Sequence, residues 1–162
     1  AIQALLAFMI AHADAGVVAP RMVYPDGRLQ WSSRRFPTLR GVLLRVTRLD
    51  RLFPSPVDRY LMRDWDHAQA RLVEWAIGAC LLLRRAPLEE VGLLDEGYFM
   101  YYEDTDLCRR MQAAGWAVYY EPAAVVRHEH RRESAGLLPG RAARAHLCSL
   151  LRLFRKHRFP LW

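Results

Sequence analysis

The sequence predicts an α/β chain in which helices are interleaved with short strands, and three observations carry that reading. Ile2, Leu5, Leu6, Met9 and Ile10 fall at i, i+3, i+4, i+7 and i+8, the apolar stripe of an amphipathic helix. Gly16 to Tyr24 is a largely apolar run entering Pro25-Asp26-Gly27, which reads as a strand feeding a turn. Between Tyr101 and Gly115, the carboxylates Glu103, Asp104 and Asp106 precede a stripe of Leu107, Met111 and Ala114, which reads as a helix with an acidic amino end. With 162 residues, 52% of them hydrophobic and 25% charged, the chain has the balance of one soluble globular domain.

Taken in order, the opening helix is expected to stop at Gly16, and Leu29 to Ser33 to return as the hairpin partner of the first strand. From Arg34 to Ala70, Pro37, Pro54 and Pro56 break the periodicity, so a long excursion with short helical pieces is expected. Val73, Trp75 and Ile77 alternate as a strand, Gly78 bends it, and Ala79 to Leu83 follow as a second buried strand. Pro87 sits in the first turn of a short helix that Gly92 ends. Trp116 to Tyr120 and Ala123 to Arg127 read as two short strands around Pro122. A polar, arginine-rich loop from His128 to Gly140 separates them from a tail helix, Arg141 to His157. Residues 1–140 are read as the body and 141–162 as a basic amphipathic carboxy-terminal helix.

The formal charge is +7, and Lys156 is the one lysine, so arginine supplies nearly all of it. That excess favours anionic partners by long-range attraction, but the arginines are dispersed and accompany no nucleic-acid motif, which speaks against nucleic acid. Cys80, Cys108 and Cys148 are widely spaced and odd in number, so neither a disulfide framework nor a zinc site is suggested, and a reducing compartment is expected. No apolar run approaches the roughly 20 residues of a spanning helix. The tail helix presents Leu147, Leu150, Leu151 and Phe154 on one face, with Arg144, Arg152, Arg155 and Lys156 largely on the others. It is equally suited to lying on acidic lipid or to packing on the body.

Two constellations carry chemistry. Ionised carboxylates at a helix start can accept a proton, although the plainer reading makes Asp104 an N-cap. Phe99, Met100, Tyr101 and Tyr102 directly before them favour a partly dry pocket, and Trp75 and Gly78 offer a flat surface and a close backbone approach. His128, near His130, offers an imidazole to a divalent metal, while the plainer reading is a surface histidine.

The ordered set Val73-Glu74-Trp75-x-x-Gly78-Ala79-Cys80, Leu94-Asp95-Glu96-x-x-Phe99-Met100-Tyr101-x-Glu103-Asp104-x-Asp106-Leu107-Cys108-x-Arg110, Ala114-Gly115-Trp116 and His128 resembles the second half of family-two inverting glycosyltransferases, the rhamnosyltransferase-like group. Gly16 to Pro20, Pro25-Asp26-Gly27 and Arg35-Phe36-Pro37 extend the resemblance over nearly the whole chain. It implies a partial GT-A type fold, a mixed sheet flanked by helices, with the nucleotide-binding first half missing. It further implies Asp104 as the general base of an inverting displacement, with Trp75, Gly78, Glu103 and Asp106 on the acceptor side. His128 would then be a metal or diphosphate contact. The implied cofactor is a divalent cation, Mg2+ or Mn2+, shared with an Asp-x-Asp motif that should precede these residues. Asp64-Trp65-Asp66 matches that motif in letters but lies in the irregular excursion, and is read as coincidence. The implied partners are a nucleotide-sugar donor, dTDP-rhamnose among the candidates, and a glycan or lipid-linked acceptor. The implied location is cytoplasmic, with the tail helix able to touch the inner membrane face. Without the donor half the isolated chain is expected to be inactive, and a non-catalytic module that binds acceptor or pairs with a donor-binding chain is the alternative.

Overall fold

A computed structural model describes residues 1–47, 49–129 and 140–157. Helix α1 (Ile2–Ala11) leads into the long strand β1 (Ala15–Val23), and β2 (Ser33–Arg34) follows the turn. The excursion holds α2 (Leu39–Val46), a 3-10 turn (Leu49–Arg51) and α3 (Ser55–Tyr60). Then come β3 (Arg71–Leu72), β4 (Trp75–Ala76), β5 (Leu82–Leu83), α4 (Arg85–Val91), α5 (Glu103–Ala113), β6 (Ala117–Arg127) and α6 (Arg141–His157).

The main sheet has the order β3-β6-β1-β5. Its centre is the parallel pair β1 and β6, with β5 antiparallel to β1 and β3 antiparallel to β6, so the sheet is mixed as expected. Successive side chains of a strand point to opposite faces, and β1 uses both. Val17 packs with Leu107, Cys108 and Met111 of α5, whereas Val18 packs with Leu5 and Met9 of α1. The sheet therefore lies between α1 on one side and α5 on the other. A second, two-stranded sheet pairs β2 with β4, with Ser33 opposite Ala76 and Arg34 opposite Trp75. It carries the start of the excursion to the amino end of α5.

Several local expectations are corrected. The first helix ends at His12, and Gly16 lies inside β1. A Cβ there would stand 2.9 Å from the Trp116 Cβ, so glycine is present for close strand-to-strand packing. The return from the turn is a single bridge, Val23 to Leu29, and Ser33 pairs with β4 instead. In the run from Ala79 to Leu83, strand structure is limited to the half-buried Leu82–Leu83, with Gly78 and Ala79 in an exposed turn. Pro122 does not split its segment. β6 runs through it, and the register against β1 jumps between Pro20, opposite Glu121, and Arg21, opposite Val125, which absorbs the missing donor in a bulge. The turn, the helical pieces of the excursion, α4 with Gly92 at its end, α5 and α6 stand where the sequence places them.

The tail helix packs on the body by a face rotated from the one expected, keeping Leu150 and Phe154 and replacing Leu147 and Leu151 with Leu153. Leu150 and Leu153 are buried, and Leu153 joins Tyr98 in a small core with Phe36, Tyr102 and Phe154 against it. Leu147 and Leu151 remain 55% and 56% exposed. Arg152 and Lys156, expected to face outward, bind Asp95 at 2.9 and 2.7 Å. No helix among the described residues is long and apolar enough to cross a membrane.

Candidate active site

The amino end of α5 is built on backbone strain. Tyr101 and Tyr102 both adopt left-handed conformations, with φ of 69° and 66°. Each such residue costs on the order of 1–3 kcal/mol and persists only where its surroundings enforce it. Here α6 does so: Ser149 Oγ–H donates to the Met100 carbonyl at 2.7 Å, and the His146 ring lies 5.0 Å from that of Tyr101 and 5.1 Å from that of Tyr102. Strain held in this way at a helix start is typical of functional sites. Phe99, expected in a dry pocket, is 86% exposed, and the half-buried Met100, Tyr101 and Tyr102 remain beside the carboxylates.

The N-cap is Tyr102, so Asp104 is not the cap. Its carboxylate reaches out of the helix instead. Oδ2 accepts the Gly78 N–H at 2.9 Å from the turn after β4, while Oδ1 accepts the Thr105 N–H at 2.7 Å. A Cβ on Gly78 would stand 3.3 Å from the Asp104 Cβ, so the glycine makes room for Asp104 itself. Burial pushes the Asp104 carboxyl above its ordinary value, only partly opposed by the Gly78 and Thr105 amides and the Arg34 guanidinium. The result is a carboxylate of raised basicity with two backbone donors and no ion pair among the described residues. Glu103, alongside, is half-buried, and its Oε2 is buried without a hydrogen bond among the described residues. Burial, and the neighbouring Asp104 charge, raise its carboxyl as well.

Asp106 belongs elsewhere. Its side chain is 0% exposed and meets Arg110 at 2.8 Å, Lys156 at 2.8 Å and His157 at 2.7 Å. Burial alone would raise its carboxyl, but the hydrogen bonds from Lys156, His157 and Arg110 outweigh it and hold the value low. With its oxygens taken by three basic side chains, Asp106 fixes α5 against α6 and is not placed to touch an acceptor. Trp75 is likewise no open wall. It is 4% exposed, its indole N–H donates to the Arg35 carbonyl at 2.7 Å, and the Arg34 guanidinium lies 5.3 Å from its ring centroid. Trp75 thus positions Arg34, whose charge acts on Asp104. The structure therefore brings Gly78, Glu103 and Asp104 together, sets Trp75 behind them and turns Asp106 away.

His128 stands at the end of β6. Its N–H donates to the Val23 carbonyl at 2.9 Å and its Nδ1 pairs with Gln30 Oε1 at 3.0 Å. His130 lies outside the described residues. Among the described residues no three His, Cys, Asp or Glu side chains converge on a point that could hold a metal ion. Asp64 is paired with Arg35 at 3.5 Å, and Asp66 accepts the Ala68 N–H at 2.9 Å, so this pair stabilises the excursion. These residues do not by themselves fit a divalent cation.

Sequence reasoning missed Arg34 and gave Arg110 no role. Arg110 donates to the carbonyls of Val91, Gly92 and Leu93 at 2.6 to 2.8 Å while holding Asp106, so one guanidinium ties α4, the loop after it and α5 together. The i, i+4 spacing of Asp106 and Arg110 was the available signal. Arg34 had none, because its approach depends on the pairing of β2 with β4. Cys108 is excluded as a nucleophile, since burial pushes its thiol up to about 12.

Comparison with known proteins gives the family. Residues 9–145 match the family described as glycosyltransferase-like family 2. An N-acetylglucosaminyl-diphospho-decaprenol L-rhamnosyltransferase of Mycobacterium tuberculosis is 38% identical over 147 residues, covering 90% of this chain and 47% of the relative. A rhamnosyltransferase of Escherichia coli is 36% identical over 87 residues, 54% of this chain and 33% of its own. A low-salt glycan biosynthesis hexosyltransferase of Haloferax volcanii is 30% identical over 94 residues, 58% of this chain and 26% of its own. The chain spans about half the length or less of these relatives. With the family matched over most of its residues and the rhamnosyltransferases among its relatives, the chain belongs to glycosyltransferase-like family 2 and is rhamnosyltransferase-like.

Proposed function

We propose that these residues form the acceptor-side half of an inverting glycosyltransferase site that moves a sugar, rhamnose by the relatives' names, from a nucleoside-diphosphate donor to a glycan or lipid-linked acceptor. The observation that carries the reading is Asp104: a carboxylate of raised basicity, fixed by the Gly78 and Thr105 amides, at the mouth of a strained helix start. A base that is fixed and poorly compensated is suited to take a hydroxyl proton. As the acceptor oxygen attacks the anomeric carbon, its proton passes to Asp104. The bond from that carbon to the diphosphate oxygen breaks, the nucleoside diphosphate leaves with the electron pair, and the configuration at carbon inverts. Gly78 and Glu103 border the acceptor in this reading. His128 borders the donor's diphosphate in the same reading.

Donor binding is assigned largely to residues outside these 162, which is supported by the 47% coverage of the mycobacterial relative. The isolated chain is accordingly expected to bind acceptor but not to turn over, and the working place is the inner face of the cytoplasmic membrane. The test is transfer from dTDP-rhamnose by the natural polypeptide carrying these residues. Asp104→Asn should lower kcat by about 10²–10⁴-fold with acceptor binding retained. Transfer that survives the substitution would remove Asp104 as the base. Acceptor binding without transfer in the unmodified natural polypeptide would favour a non-catalytic binding module.

A further inference from the structure

The excursion between β2 and β3 is not a disordered connection but one wall of a cavity of about 930 Å³, within the range of pockets that take small ligands. Its lining has two chemistries. Four guanidinium-bearing side chains, Arg35, Arg40, Arg59 and Arg109, border it, and among the described lining residues Glu74 is the one carboxylate. Glu74 already accepts the Phe36 N–H, and Arg35 also holds Asp64 at 3.5 Å. The balance therefore remains strongly positive, with Arg40 and Arg59 exposed on α2 and α3. The second chemistry is apolar: Val42, Leu52, Phe53, Pro54 and Val57 continue the wall, with Leu52 and Phe53 exposed. Tyr102 closes one side, and it is the residue that caps α5 two positions before Asp104.

A cavity that joins cations to exposed apolar side chains suits a ligand that is anionic at one end and hydrocarbon at the other. An ordinary solvated loop has no reason to expose Leu52 and Phe53 beside four arginines, and a simple phosphate site has no use for them. We propose that this cavity binds the diphosphate and first isoprenoid units of a lipid-linked acceptor, which places the acceptor's sugar beside Tyr102 and Asp104. The proposal rests on the glycosyltransferase reading for its purpose, but its binding chemistry is tested separately.

Calorimetric titration of the chain with farnesyl diphosphate, a short soluble probe, should show binding. Farnesol and inorganic diphosphate, each carrying half of the chemistry, should bind at least about tenfold more weakly. Arg40→Ala combined with Arg59→Ala should weaken the probe by about tenfold or more. Phe53→Ser should weaken farnesyl diphosphate while leaving inorganic diphosphate unchanged. These side chains are exposed, so circular dichroism should show the fold intact. Inorganic diphosphate bound as tightly as the probe would reduce the cavity to an anion site and overturn the proposal, as would no binding at all. Equal sedimentation with phosphatidylglycerol vesicles, with and without isoprenyl diphosphate, would make the surface a membrane contact and overturn it too. Probe binding that stands while the natural polypeptide shows no sugar transfer would instead sink the glycosyltransferase reading and leave the cavity assignment in place.

Discussion

On one side of α5, Asp104 looks toward the turn after β4; on the other, two residues along, Asp106 looks toward α6. Both sit in the first turn of the same helix, where the dipole favours an ionised carboxylate; Asp106 is buried and Asp104 half-buried. Their surroundings drive them apart. Asp104 receives amide hydrogens and the distant influence of Arg34, and burial prevails. Asp106 receives Arg110, Lys156 and His157, and the partners prevail. A helix start thus supplies one carboxylate saturated for anchorage and one whose basicity is raised, and the difference is made by which neighbouring element brings cations.

The comparison can be broken most forcefully at the anchored residue. Asp106→Ala should cost about 3 kcal/mol in chemical denaturation, because it strands the basic groups gathered there; a loss of under about 1 kcal/mol would show that α6 is held by Leu150 and Leu153 alone. The two carboxylates also predict opposite pH trends. The folded value of Asp106 lies below its unfolded value, so its contribution is full above the unfolded value, near 3.9, and is lost as pH falls through the folded one. Asp104 has a raised folded value, so its contribution is full below the unfolded value and lost as pH rises through the folded one. Denaturation curves from acid to neutral pH should lose the first trend in Asp106→Asn and the second in Asp104→Asn.

A smaller effect sharpens the chemical side. Gly78→Ala brings a methyl to 3.3 Å from the Asp104 Cβ, so the carboxylate must shift by a few tenths of an ångström. The expected result is a several-fold fall in kcat for at most about 1 kcal/mol of stability, and unchanged turnover would mean that the Asp104 position is not critical. Least of all, Leu151→Ser on the exposed side of α6 should change stability by less than about 0.5 kcal/mol, as the melting temperature would report.

Local pattern was enough for α1, α4 and α5, because a stripe, an early proline, a glycine with φ of 82° after α4 and an acidic first turn are all short-range signals. It drew attention to the carboxylates at the start of α5 and to Gly78, whereas the choice of Asp104 among them came from the family resemblance. What failed was whatever depends on the next element. Gly16 reads as a helix stop until Trp116 is known to lie against it. Trp75 reads as a sugar platform until β2 covers it and Arg35 accepts its N–H. The face of α6 was half right: Leu150 and Phe154 of the expected stripe pack inward, but Leu147 and Leu151 do not, because Asp95 and Asp106 draw Arg152, Lys156 and His157 inward and turn Leu153 into the core. The kind of each helix was written locally, and its rotation about its axis was not.

The parallel pairing of β1 with β6 has a consequence in time. Ala15 meets Ala117 across a loop of about a hundred residues, and both Gly78 and Asp104 lie within that loop. Contacts of such long range slow folding, because the entropy of closing the loop is lost before the contact returns anything. On the ribosome the central strand pair must wait until β6 has emerged, with the edge of β1 that β6 takes left unpaired in the meantime. The site is therefore among the last features of the chain to exist, and conditions that delay sheet closure should reduce the yield of folded protein before they alter the stability of what has folded.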